Sequence, residues 1–138
     1  MKIIEYREKY RALLVKLWNT CGLTVAWNDP NKDIDRKLAS GNGKILLAIH
    51  DGELIGTLMF GYEGHRGWLN YLAVDPKYQK SGFAKQLIVY AETELRTIGC
   101  PKVSLQIRES NSSIVEFYSH NGYTQDKVVS MGKRLIHD

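Results

Sequence analysis

The chemistry of this chain concentrates in Leu72-Ala-Val-Asp-Pro-Lys-Tyr-Gln-Lys-Ser-Gly-Phe-Ala84, which runs directly into Lys85-Gln-Leu-Ile-Val-Tyr90. The order is an apolar strand, a turn rich in main-chain donors, and the start of a helix. The first N–H groups of a helix lack intrahelical partners and carry partial positive charge, so this arrangement suits a phosphate. Gly82 and Ala84 leave little side chain in the way of a close backbone approach. Lys77, Lys80 and Lys85 either serve a polyanion or are ordinary solvated surface. Two other phosphate folds are excluded. A phosphate loop ending in Lys80-Ser81 would need glycine at positions 79 and 74, where the chain has Gln79 and Val74. No Gly-x-Gly-x-x-Gly opens the first helix, which excludes a dinucleotide-binding domain.

The elements around this turn can be read from periodicity and breakers. Lys2–Tyr6 alternates weakly as a first strand. Leu13, Leu14, Leu17 and Cys21 share a helical face that stops at Gly22. The loop Trp27-Asn-Asp-Pro30 precedes a short helix from Asp33 to Ser40 carrying Ile34 and Leu38, closed by Gly41-Asn-Gly43. Lys44–His50 and Glu53–Tyr62 are strands joined by the hairpin signal Asp51-Gly52. Trp68–Val74 is the next strand. The helix after it lines up Phe83, Leu87, Ala91, Leu95 and Ile98 before Gly99 and Pro101 end it. Val103–Arg108 reads as a strand, and Asn111-Ser-Ser113 as the cap of a helix reaching His120. Tyr123–Asp126 and Val128–Ile136 read as a terminal strand pair. The expectation is an α/β protein: a mixed, mostly antiparallel central sheet of six to seven strands flanked by four helices.

Length and composition narrow the class. With 138 residues, 43% hydrophobic and 25% charged, the chain suits one domain spanning 1–138. No apolar run approaches the ~20 residues that span a bilayer, and Met1–Arg7 lacks a signal-peptide core, so no membrane partner and a cytoplasmic location are expected. The net charge of +4 is mild and the basic residues are interspersed with acids. That argues against a nucleic-acid partner, which calls for a basic stripe. Cys21 and Cys100 sit in no paired metal motif and the four histidines are scattered, so no metal is expected and both thiols read as reduced packing residues.

Gln79-Lys-Ser-Gly82-Phe-Ala84 resembles the signature of the GCN5-related N-acetyltransferase (GNAT) superfamily: Gln or Arg, two residues, Gly, one residue, then Gly or Ala. Leu72-Ala-Val74 and Asp75-Pro76 resemble that family's fourth strand and turn. Asn111 through Phe117-Tyr118-Ser-His-Asn-Gly122-Tyr123 resembles its second motif. The resemblance covers essentially the whole chain. Trp27–Pro30 and Gly132-Lys-Arg-Leu135 resemble a small bacterial group close to the ribosomal-protein N-terminal acetyltransferases.

The resemblance implies an acyl-CoA N-acyltransferase fold and acetyl transfer from acetyl-coenzyme A, the acyl-donor co-substrate, to a primary amine. The acceptor would be a protein N-terminus, a lysine or a small amine. Main-chain amides of Gln79, Lys80, Ser81, Gly82, Phe83 and Ala84 would cradle the diphosphate. Leu72, Ala73 and Val74 would pair with the pantetheine arm like an added strand, with the Leu72 N–H stabilising the oxyanion. Asn111 would either bond the cofactor or cap its helix. Tyr118 would be the general acid, unless it is a core tyrosine. Glu63, ranked above His65, would take the amine proton, unless Tyr62–His65 is a solvated turn. Trp27, Asn28, Asp29 and His65 would face the acceptor, as would one of Asn70 and Tyr71, since strand alternation points only one of those two there; Trp27 is otherwise a lid packed on the core. With no nucleophile placed for a covalent intermediate, attack would be direct in a ternary complex. A non-catalytic acyl-CoA-binding sensor or scaffold is the rival reading. A homodimer through the edge strand Val128–Ile136 is a further expectation.

Overall fold

In the computed structural model, which describes residues 1–138, the strands β1 (Lys2–Glu5), β2 (Lys44–His50), β3 (Glu53–Tyr62), β4 (Gly67–Val74) and β5 (Val103–Ser104) lie side by side in sequence order. The first three junctions are antiparallel and β4–β5 is parallel. Asp51 and Gly52, with φ of 49° and 77°, make the β2–β3 connection. Two successive left-handed residues match the twist of the strands they join, which is why Asp-Gly stands there.

Helices α1 (Arg11–Thr20) and α2 (Pro30–Ser40) pack on one face of the sheet. Leu14, Leu17, Trp18 and Ile34 meet Ile45, Leu47, Met59 and Ala73 there. Helix α3 (Phe83–Thr97) covers the opposite face, where a Cβ on Gly56 would come within 3.2 Å of Leu87 Cδ1 and 3.4 Å of Ala48 Cβ. The β-strand alternation that sends Leu47 to one face sends Ala48 to the other. Leu87, Ile88, Ala91 and Leu95 form the buried stripe of α3. Gly43 is obligatory. At φ 70° its Cβ would lie 1.9 Å from the Phe60 carbonyl oxygen.

Several expectations need correction. Leu13 and Ile98 are exposed, because α1 turns Leu14, Leu17 and Trp18 inward and Ile98 lies past the last turn of α3. Leu38 is likewise exposed. Helix α2 begins at Pro30 rather than Asp33, because Asp29 caps it: its Oδ1 accepts from the Asn31 N–H at 2.8 Å and the Lys32 N–H at 3.4 Å. Pro30 at the first helical position suits the missing N–H there. Asp29→Ala should lower unfolding free energy by about 1 kcal/mol, the usual worth of such a cap, measurable by urea denaturation.

The sheet has five strands, not six to seven. Val103–Arg108 pairs only over Val103–Ser104, and neither Tyr123–Asp126 nor Val128–Ile136 forms a strand. Alternating apolar residues permit a strand, but a strand exists only where a neighbour accepts its hydrogen bonds.

The chain divides into two compact units: residues 1–105 together with Asp138, and residues 106–137. The second holds helix α4 (Ser113–His120) and an irregular tail whose Val128, Val129, Met131, Leu135 and Ile136 are exposed. No helix is long and apolar enough to cross a membrane.

Candidate acyl-donor site

Strand β4 ends in a main-chain receptacle. Asp75 turns the chain: its N–H donates to the Ile55 carbonyl at 2.7 Å and its Oδ1 accepts from the Lys77 N–H at 2.9 Å. One turn of 3-10 helix follows, Pro76–Tyr78. The Gln79 side chain then folds back, Nε2 donating to the Val74 carbonyl at 2.9 Å, and ties the two ends of the loop. Cys21 Sγ donates to the same oxygen at 3.4 Å. Burial pushes the Cys21 thiol up, as suits a packing residue.

Past Gln79 the backbone becomes left-handed at Lys80 (φ 61°) and Gly82 (φ 82°) before Phe83 enters α3. A left-handed residue followed by a right-handed one aims consecutive N–H groups into a common concavity, a geometry that binds anions. The first main-chain bond of α3 runs from Gln86 N–H to the Gly82 carbonyl. The amides of Phe83, Ala84 and Lys85 therefore precede the helical ladder. No side chain caps this end and no acid sits in its first turn. Open space surrounds the position of a Gly82 Cβ. Lys80, Ser81 and Gly82 are exposed. These residues fit a diphosphate.

Strand β4 has an open flank above that receptacle. Strand β5 pairs with it only at Gly67 and Trp68, so Leu69–Val74 has no strand on the outer side. On the inner side the register slips. Met59 faces Asn70 and Thr57 faces Ala73, so Tyr71 and Leu72 stand opposite Leu58 alone, as a β-bulge. Tyr71 is left-handed, with φ 52°. For an aromatic residue this costs roughly 1–2 kcal/mol and persists only where surroundings impose it. They are evident: the Tyr71 ring stacks on buried Trp18 at 3.8 Å and 15°, and its hydroxyl donates to Asp33 Oδ2 at 2.5 Å. Asn28 Nδ2 donates to the same carboxylate oxygen at 2.5 Å and to the Tyr71 hydroxyl at 3.2 Å.

Of the residues expected near an acceptor, Asn28 and Tyr71 are thus joined directly. Asp29 serves α2 as its cap, while Trp27 and Asn70 are exposed. Asp33 was not foreseen. An acid in the first turn of a helix reads as a dipole partner, and no sequence mark announces a left-handed tyrosine.

Glu63 closes its own turn. Its Oε1 accepts from the His65 N–H at 2.6 Å and, at shorter range, from the Arg66 N–H. These bonds, with Arg66 first, hold the carboxyl below the usual range. Such a group binds a proton weakly, which counts against the role of base. A depressed carboxyl stabilises its turn above the ordinary carboxyl pKa and loses that contribution as pH falls through the lowered value. Acidification below the ordinary carboxyl range should therefore lower the protection of the His65 and Arg66 amides against hydrogen exchange, relative to an unstructured chain at the same pH, and Glu63→Gln should abolish that dependence while lowering kcat/KM less than about tenfold. An NMR titration and a pH–rate profile measure both.

In the second unit, Asn111 ends a short 3-10 turn, Glu109–Asn111, that leads into α4. The expected side-chain cap is not made: Ser112 occupies the N-cap position without one. Tyr118 is buried in edge-on contact with Phe117 (5.2 Å) and Tyr123 (5.6 Å). Burial pushes its phenol up to about 12.

The sheet, the bulged fourth strand and the glycine turn at a helix start define an acyltransferase-type α/β protein. Residues 7–123 match the model of the acetyltransferase (GNAT) family, and the chain belongs to it. The fold is similar to that of an aminoglycoside antibiotic 6'-N-acetyltransferase from Acinetobacter haemolyticus, at 23% identity and TM-score 0.79, covering 99% of this chain and 100% of that one. It is also similar to an aminoglycoside acetyltransferase from an uncultured soil metagenomic sample in complex with sisomicin (19%, TM-score 0.77, 98% and 96%). A third likeness is to AAC(6')-Iy in complex with the bisubstrate analog CoA-S-monomethyl-acetylneamine (20%, TM-score 0.75, 96% and 97%).

Proposed function

We propose that this protein transfers an acetyl group from acetyl-coenzyme A to a primary amine by direct attack in a ternary complex, with residues 1–138 acting as one catalytic domain in the cytoplasm. One observation carries the reading: the flank Leu69–Val74, which has no neighbouring strand on its outer side, leads into a left-handed, uncapped helix start. An extended pantetheine arm and a diphosphate need that succession, since a strand edge binds an extended chain and a helix start binds an anion.

Acetyl-coenzyme A supplies the activated thioester; the residues of the chain supply placement and charge. The amides of residues 79 to 84 hold the diphosphate, and Leu72–Val74 hold the arm. The Leu72 N–H, released from the regular ladder by the bulge, stabilises the oxyanion. Tyr118 donates a hydrogen bond to the departing thiolate. Glu63, engaged in its turn, is left out of the chemistry, and the amine proton passes to water.

For the acceptor, the resemblance of Trp27–Pro30 and Gly132–Leu135 to the ribosomal-protein N-terminal group favours a protein N-terminus or lysine. The aminoglycoside acetyltransferases of similar fold add amino sugars to the candidates. A homodimer is supported by the exposed apolar side chains of the tail, from Val128 to Ile136, and a sizing column tests it. The central experiment is an acceptor panel of peptides, free lysine, small amines and amino sugars, read by free-thiol release. Acceptor-dependent release supports the transferase. Acetyl-coenzyme A binding without release for any acceptor would support the sensor.

A further inference from the structure

We propose that Asp33 is a positioning residue for the transfer reaction: its carboxylate, through the Tyr71 hydroxyl, holds the β4 bulge in the conformation that presents the Leu72 amide to the donor. This rests on the reading that the Leu72 amide meets the donor thioester.

The left-handed backbone at Tyr71 is unfavourable for its own residue type, so something outside the strand must select it. Glycine is the usual solution at a bulge of this hand, and this chain has a tyrosine. The compensation lies in the side chain. Its ring is fixed by the parallel stack on Trp18, a fully buried residue of α1. Its hydroxyl is fixed by α2 and the loop before it, donating to Asp33 and accepting from Asn28. The other Asp33 oxygen lies 3.7 Å from Arg36 one turn along, which keeps the carboxylate oriented. A ring gripped at both ends fixes where the Tyr71 Cα sits, and Leu72 is the next residue.

A ring that only stacked could slide along the indole. The hydroxyl bond removes that freedom, and its acceptor is charged, which makes such bonds stronger and shorter than neutral ones. Misplacement of a catalytic donor by about 1 Å can cost on the order of 100-fold in rate, so a distant hydroxyl bond can matter to turnover without touching substrate.

The test uses Tyr71→Phe and Asp33→Asn, each nearly isosteric, with the double variant. In the ligand-free proteins, Cα and Cβ chemical shifts of Tyr71 should report left-handed backbone in the wild type and move toward extended values in both variants. The kcat should fall roughly 30- to 100-fold with KM for acetyl-coenzyme A within about threefold. The double variant should lose far less than the product of the two single losses, since both substitutions act on the shared Tyr71–Asp33 bond. Left-handed shifts persisting in both variants, or multiplicative losses in the double variant, would overturn the role of Asp33. Addition of acetyl-coenzyme A to wild-type protein separates the two levels. If the Leu72 amide resonance does not respond, the donor reading itself is wrong. If it responds equally in wild type and variants, only the positioning role is lost.

Discussion

Gly82→Glu should weaken acetyl-coenzyme A binding by at least about 100-fold while leaving the protein folded. Three features converge on this. The φ of 82° is strained for any residue with a Cβ, so the substitution disturbs the hand of the turn. The new carboxylate would stand at the uncapped start of α3, where it satisfies the amides that the diphosphate needs and repels the diphosphate itself. Nothing lies within 4 Å of the position of a Cβ, so no core packing is broken. The stability loss should be limited to roughly 1 kcal/mol of backbone strain. Gly82→Ala separates the effects, because it keeps the strain without the charge, and should cost about tenfold or less in affinity. Calorimetric titration with acetyl-coenzyme A and thermal unfolding measure the two quantities. Unchanged affinity in Gly82→Glu would remove residues 79 to 84 from the cofactor site.

Tyr118→Phe should lower kcat about 100-fold and leave acetyl-coenzyme A affinity within twofold, in keeping with the loss of a positioned acid. Burial pushes the phenol up to about 12. A thiol with pKa near 8.5 is the much stronger acid, so full proton transfer from this phenol to the thiolate is uphill by roughly 5 kcal/mol. Tyr118 therefore acts chiefly by hydrogen bonding to the charge as it develops, and water completes the protonation. Two pH consequences follow. Between pH 7 and 10 the wild-type rate should show no decline from this group, because it stays protonated. For stability, the raised pKa contributes fully below the ordinary value of 10.0 and is lost as pH rises through about 12. Tyr118→Phe should flatten that alkaline loss, seen by circular dichroism. An acyl-coenzyme sensor, in contrast, has no turnover for the substitution to lower.

Much of the frame was legible in the residues. Asp51-Gly52 announced the hairpin, and the strands on either side of it have the expected ends. The turn from Gln79 to Ala84 was found as a main-chain feature, since glycine marks a left-handed position directly. What failed was the end of the chain, where Val128–Ile136 has strand-like composition without a strand. Glu63 was legible only as a carboxylate near the end of a strand. Whether such a group accepts protons or caps a turn depends on which amides lie within reach, and residue order leaves that open.

By itself, the order of residues determined the strand–turn–helix at 72–90, the hairpin and the apolar stripe of α3, because these depend on local hand, periodicity and capping. Only the tertiary structure decided that β5 flanks no more than the start of β4, that Tyr71 is left-handed, and that Asp33 and Trp18 hold it there. Those features arise from contacts between residues far apart in the chain. Their energies outweigh the local preference of a tyrosine for extended backbone, and no short stretch of sequence contains both sides of that balance.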